Sequence, residues 1–292
     1  RNQAMKPDIG EVIPNPIGSA RGLHLSNKSY HLFAMPGVPA EMKSMMTDTI
    51  LPWIESRSKS KIHVTVMRTT GIMESVLYEK VQGILDDYPQ INVAFLPRFT
   101  GVDIRLTTSD KNTLNRLVDQ ISPVIQKYHF GGEGVELEDV VGRLLIKNRK
   151  TIATAESCTG GLIGDRLTNI SGSSLYYKGG IVAYSNSVKE KTIGVKKETL
   201  DSAGSVSEET ALEMARGIRN KLNADIGLST TGIAGPKGGT KEKPVGLVYI
   251  AISYDRGEKV YRFVFTPYRK TNKLMTSQAA LNITRIHILN GL

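Results

Sequence analysis

Cysteine is nearly absent. Cys158 is the only one in 292 residues, which excludes an intrachain disulfide and a cysteine-cage zinc site. It fits a reducing compartment, so a cytoplasmic location is expected. The five histidines, His24, His31, His63, His129 and His287, are scattered, with no pair at metal-ligand spacing. No apolar run approaches the ~18 residues of a membrane span, so no membrane helix is expected. Arg1–Met5 offers no apolar h-region, so no signal peptide is visible. The chain does not begin with Met, as expected of a fragment or a processed product.

What is present is ordinary globular material, 40% hydrophobic and 23% charged. The length suggests two domains with room for a third small piece. Lys and Arg number 38 against 28 acidic residues, a formal net charge of +10. This permits nucleic acid or a phosphorylated small molecule as partner and chooses neither.

Three pieces follow one another. Residues 1–58 begin in Pro/Gly-rich loop (Gly10–Gly18). A short strand over Ser29–Met35 and a helix from Ala40 to about Ile50 follow, stopped by Pro52 and the polar run Glu55–Ser60. So short a stretch buries too little surface to stand alone. Residues 61–130 read strand, helix, strand, strand, helix: Ile62–Arg68, Glu74–Asp87, Asn92–Leu96, Val102–Thr108 and Asn112–Tyr128. This predicts a small α+β module, followed by a linker at Gly131–Gly134. Residues 135–292 alternate strands and helices, which predicts a three-layer α/β domain. Its helices are expected at Leu137–Lys147, Thr159–Thr168, Ser205–Leu222 and Asn272–Leu289. Its strands are expected at Thr151–Ala155, Gly180–Tyr184, Asp225–Thr230, Val245–Ser253 and Lys259–Phe265, with Ser205–Glu208 as a capping box.

Chemistry concentrates in loops that follow strands. Thr154-Ala-Glu-Ser-Cys-Thr-Gly-Gly161 ends a strand in hydroxyl and thiol side chains and opens a helix on two glycines. Strand carboxyl ends are where parallel sheets bind ligands, and a helix start offers N–H groups for a phosphate or an oxyanion. Simple helix capping explains Ser and Thr there equally well. Ser229–Gly239 is a second Gly- and hydroxyl-rich loop after a strand, without a Walker A pattern. In Tyr184–Lys189, Lys189 serves as a general base only if burial or a nearby cation lowers its pKa; beside Lys191 it otherwise reads as a solvated helix lysine. Cys158 ranks below Ser157 as nucleophile, since a lone cysteine is usually a small buried hydrophobe.

Together, Thr154–Gly161, Ser171–Ser174, Gly179–Asn186, Lys189, Ile193–Val195, Val206–Glu208, Gly232–Pro236, Gly238-Gly239 and Lys243–Gly246 resemble the C-terminal domain of the CinA family of competence/damage-inducible bacterial proteins. The resemblance covers about residues 135–292. Upstream, Pro14–Gly18 and Pro36–Met42 resemble the end of the family's molybdopterin-binding-like α/β domain. Arg68–Gly71 with Glu74-Ser75 resembles the entry to its small KH-like domain. The implied architecture is an α/β/α C-terminal domain, a KH-like α+β middle domain and a remnant of the first domain. With most of that domain absent, its ADP-ribose pyrophosphatase activity is not expected here.

The resemblance implies an amidase that hydrolyses the carboxamide of nicotinamide mononucleotide, with no metal or cofactor. Ser157 would be the nucleophile, Lys189 its base, and Tyr184 a hydrogen-bonding group within the pair. N–H groups at the start of the Thr159 helix would hold the oxyanion. Thr159, Gly160, Gly161, Asn186, Thr231, Gly232, Gly235 and Arg269 would contact the substrate, Arg269 through its phosphate. The family's Gly-Asp-Arg reads Pro267-Tyr268-Arg269 here. A homodimer is implied as well.

Two other readings stand beside this one. A catalytically degenerate regulator or scaffold rests on the altered Pro267-Tyr268. A nucleic-acid binder rests on the charge, with seven Lys/Arg against Glu258 in Arg256–Leu292. Against the second, no Gly-x-x-Gly loop lies between the middle helices, and Gly131–Gly134 carries Glu133.

Overall fold

The computed structural model describes residues 9–58 and 61–291; the Arg1–Met5 start lies outside them. Among the described residues no helix is long and apolar enough to cross a membrane.

Residues up to Ile62 form one unit. Strands β1 (Glu11–Ile13), β2 (Gly22–Ser26) and β3 (His31–Ala34) make an antiparallel sheet in that order. Helix α1 (Pro39–Met45) starts with Pro at its first position, where the missing N–H costs nothing. The expected stop at Pro52 does not occur. The helix widens into a π turn over Met46–Ile50, and Pro52 falls in the first turn of α2 (Leu51–Glu55), where it is tolerated. Ile13, Met45 and Ile50 form the small core.

His63–Leu292 is a second compact unit holding two sheets. The first combines β4 (His63–Thr69), β5 (Asn92–Arg98), β6 (Gly101–Thr108) and β7 (His129–Gly131) in the antiparallel order β5-β6-β4-β7. Helices α3 (Glu74–Leu85) and α4 (Lys111–Ile125) supply Leu77, Val81, Leu114, Leu117, Ile121 and Ile125 to a core with Met67, Ile104 and Leu106. Asp110 caps α4, accepting the N–H of Asn112 and Thr113. The expected linker starts one residue late, since Gly131 pairs with Arg68 as the end of β7.

The second sheet contains β8 (Ile152–Glu156), β9 (Tyr177–Val182), β10 (Ile226–Gly232), β11 (Leu247–Tyr254) and β12 (Gly257–Val264), ordered β12-β11-β10-β8-β9. β8 runs parallel to both β9 and β10, while β11 and β12 return antiparallel. On one face, α5 (Leu137–Lys147), α6 (Leu162–Thr168) and α10 (Arg269–Leu289) cover Ile152, Ile226, Leu228, Val248 and Ile250. On the other, α9 (Glu208–Lys221), with α7 (Asn186–Ile193) before it, covers Ala153 and Ala155 through Met214 and Ile218. Alternate residues of each strand thus serve alternate faces, and the three layers match the expectation. The helix α9 packs so closely on β10 that a Cβ at Gly227 would collide with the Ala215 carbonyl. A short helix, α8 (Lys197–Ser202), was not anticipated, because six polar-rich residues carry no periodic signal.

A buried network ties the helices of one face to each other and to the end of β4. Arg166 of α6 pairs with Glu138 of α5 at 2.6 Å and donates to Ser277 and Gln278 of α10. Gln278 in turn donates to Thr70, at the end of β4.

Candidate active site

β8 lies between its two parallel neighbours. The chain leaves it toward β9 and returns on its other side as β10, so the strand order reverses at the carboxyl end of β8. That is where open α/β sheets form a crevice. Ser157 sits there, one residue past β8, its N–H bonded to the Thr230 carbonyl at 2.9 Å.

Lys189 arrives from α7. Ser185 caps that helix by accepting the Val188 N–H, and Lys189 follows one turn in. Its side chain is 1% exposed, not solvated. Its Nζ lies 3.1 Å from Ser157 Oγ and donates to the carbonyls of Ala183 (2.8 Å) and Tyr184 (3.3 Å). Burial pushes its pKa below the ordinary lysine value.

A cavity of about 170 Å³ opens on this pair, lined by Tyr184, Thr231, Gly232 and Arg269 among the expected residues. Cys158 also lines it, but its buried thiol is pushed up to about 12, which keeps it protonated and weak as a nucleophile. A larger cavity, about 540 Å³, lies between the four-stranded sheet and α10; no Ser, Cys, Lys or His lines it.

Several expectations need correction. The helix after Ser157 begins at Leu162 rather than Thr159. Its first N–H groups do not face the cavity: Glu156, 2% exposed, accepts those of Gly161, Ile163 and Gly164 at 2.8–3.1 Å. Gly161, at φ +93°, is the left-handed residue that brings the chain round to this carboxylate. Thr159 is wholly buried and bonded to Thr230 Oγ1, so it braces the loop from behind. Asn186 is exposed and does not line the cavity. Gly235 contributes its carbonyl to Arg269 Nη1, and Ala234 lines the wall in its place. The Tyr184 hydroxyl accepts from Arg269 Nη2 at 2.7 Å, so only the backbone of Tyr184 touches Lys189. Tyr268, 74% exposed, is not a lining residue of the cavity.

Ser205 and Val206 were missed as lining residues. The capping-box pattern had claimed Ser205, whereas Ser207 caps α9 by accepting the Thr210 N–H. Ser205 instead offers its carbonyl to Thr231 Oγ1.

Residues 135–288 match the CinA C-terminal domain, and residues 64–131 match the damage-inducible protein CinA KH domain. A protein of Halothermothrix orenii, whose name places it with competence-damage inducible proteins, is 43% identical over 285 residues, 95% of this chain and 69% of that protein. A CinA-like protein of Chloroherpeton thalassium is 42% identical over 306 residues, 100% of this chain and 73% of that protein. The crystal structure of the competence damage-inducible protein A of Klebsiella pneumoniae superposes with a TM-score of 0.52 at 31% identity, covering 53% of this chain and 97% of that one. The chain belongs to the CinA family of competence/damage-inducible proteins.

Proposed function

We propose that this chain hydrolyses the carboxamide of nicotinamide mononucleotide to nicotinic acid mononucleotide and ammonia. The observation that carries this reading is a buried lysine amine 3.1 Å from a serine hydroxyl, both opening on one cavity. Neutral Lys189 takes the proton of Ser157, and the alkoxide attacks the carboxamide carbon. The charge that develops on the carboxamide oxygen falls to N–H groups of the Cys158–Gly160 stretch, since Thr230 holds the N–H of Ser157 and Glu156 occupies those around the start of α6. The tetrahedral intermediate collapses, the C–N bond breaks, and protonated Lys189 gives its proton to the departing amine, which leaves as ammonia. Water then attacks the ester, with Lys189 again taking a proton, and Ser157 is released with the free acid. The chain acts without a cofactor, as a cytoplasmic homodimer.

Ammonia release from nicotinamide mononucleotide by the purified chain tests this. Turnover that Ser157→Ala and Lys189→Ala both abolish is the expected result. A parent chain that releases no ammonia would remove the reading and favour a degenerate regulator.

A further inference from the structure

The larger cavity, about 540 Å³, has the size of a small-molecule site and shares no lining residue with the cavity over Ser157. One wall comes from the KH-like module, through the end of β4, the start of α3 and the β5–β6 turn. The other comes from α10 and the end of β12. Hydrogen bonds hold the two walls together. Gln278 donates to Thr70 at 3.2 Å, and Arg285 donates to the carbonyls of Lys127 and His129. Seams between modules are common places for ligand sites.

The lining is aromatic. Phe263 and Phe265 stack at 5.1 Å with nearly parallel rings. From the other wall, Phe99 is 68% exposed and stacks on no ring among the described residues. Flat rings pack well on such surfaces.

Two carboxamides give the cavity its polarity. Gln278 is 5% exposed, and Arg166 Nη2 donates to its Oε1 at 2.8 Å, which fixes the orientation of the amide. Its Nε2 spends one N–H on Thr70, whose own hydroxyl donates to the Thr100 carbonyl. The second N–H has no acceptor among the described residues. Asn282 repeats the arrangement. Arg285 Nε donates to its Oδ1 at 3.0 Å, and neither N–H of its Nδ2 has an acceptor among the described residues. A buried donor without an acceptor is costly, so an occupant that supplies acceptors is favoured. The lining charges are already placed. Arg98 pairs with Asp103 at 2.9 Å, and Glu74 stands in the first turn of α3, where the helix dipole favours a carboxylate. The cavity thus offers an anion no free cation and fits an uncharged occupant.

We infer that this cavity is a second binding site, for a flat, uncharged heterocycle of nucleobase type whose ring carbonyls accept from Gln278 and Asn282. The inference stands apart from the amidase reading, since it uses none of that site's residues.

Calorimetric titration with two probes tests it: caffeine, a flat uncharged heterocycle with two ring carbonyls, and indole, a flat uncharged bicycle with no acceptor. The parent should bind caffeine. Asn282→Leu should lower the ratio of caffeine to indole affinity about tenfold. Asn282→Asp, which keeps the shape and replaces the donors by acceptors, should lower it as well. Ala279→Phe, which fills the cavity from α10, should abolish binding of both probes. Caffeine should raise the unfolding temperature of the parent and leave that of Ala279→Phe unchanged. A parent that binds no caffeine at millimolar concentration, caffeine binding that survives Ala279→Phe, or a ratio that both Asn282 variants leave unchanged would overturn the inference.

Discussion

Lys189 Nζ and Ser157 Oγ are 3.1 Å apart across 32 residues of chain, and the carbonyls of Ala183 and Tyr184 complete the shell of the amine. A neutral amine has two N–H groups and one lone pair. Two carbonyls use the first, which leaves the lone pair for the serine proton. Because burial lowers the Lys189 pKa from 10.5, the active form is reached at lower pH than for a solvated lysine. A pH profile of kcat/KM should rise on one limb centred below 10.5 and then level off. A flat profile would count against Lys189 as the base.

The same burial has a cost in stability. Between the lowered folded pKa and 10.5 the unfolded chain binds more protons, so stability rises with pH across that window. Below it, the full penalty of a buried ammonium remains. Lys189→Met should therefore abolish turnover yet raise stability at pH 7. Urea unfolding at several pH values should show the gain narrowing toward 10.5. A destabilised Lys189→Met would contradict the account.

Glu156 is tied to three N–H groups around the start of α6. Glu156→Ala strips the acceptor from all three in a buried setting. The expected loss is about 2–4 kcal/mol in denaturant unfolding. Turnover should fall as well, since the loop bearing Ser157 is anchored by this carboxylate. Glu156→Gln, which keeps one carbonyl acceptor, should lose less of both.

Arg166 and Glu138 are 9% and 12% exposed, and Arg166 also holds α10 through Ser277 and Gln278. Arg166→Ala leaves Glu138 unpaired in the interior and should cost about 3–5 kcal/mol. The paired change Arg166→Met with Glu138→Met should cost less than Arg166→Ala alone. Equal losses in the two proteins would show that the ion pair is not what the interior depends on.

Much of the fold was legible along the chain because its signals are local. Leu137–Lys147 matches its expected bounds, since its apolar spacing and acidic first turn lie within eleven residues. The hairpin of β11 and β12 follows from two apolar runs about Asp255-Arg256-Gly257. The strand expected at Gly180–Tyr184 lies instead at Tyr177–Val182, because its pairing with β8 outweighs its glycines.

The sequence by itself determined the kinds of group available: a serine and a cysteine after one strand, a lysine after the next, and cations late in the chain. The tertiary structure decided which of them meet. A lysine flanked by polar residues reads as solvated, and only the packing of α7 against β8 and α9 buries Lys189 beside Ser157. Cys158, one residue from the nucleophile, is silenced by burial. Glu156 takes the helix start that seemed free for an oxyanion. Propensity and capping act over a few residues, whereas burial and charge depend on whichever distant segments the fold brings together.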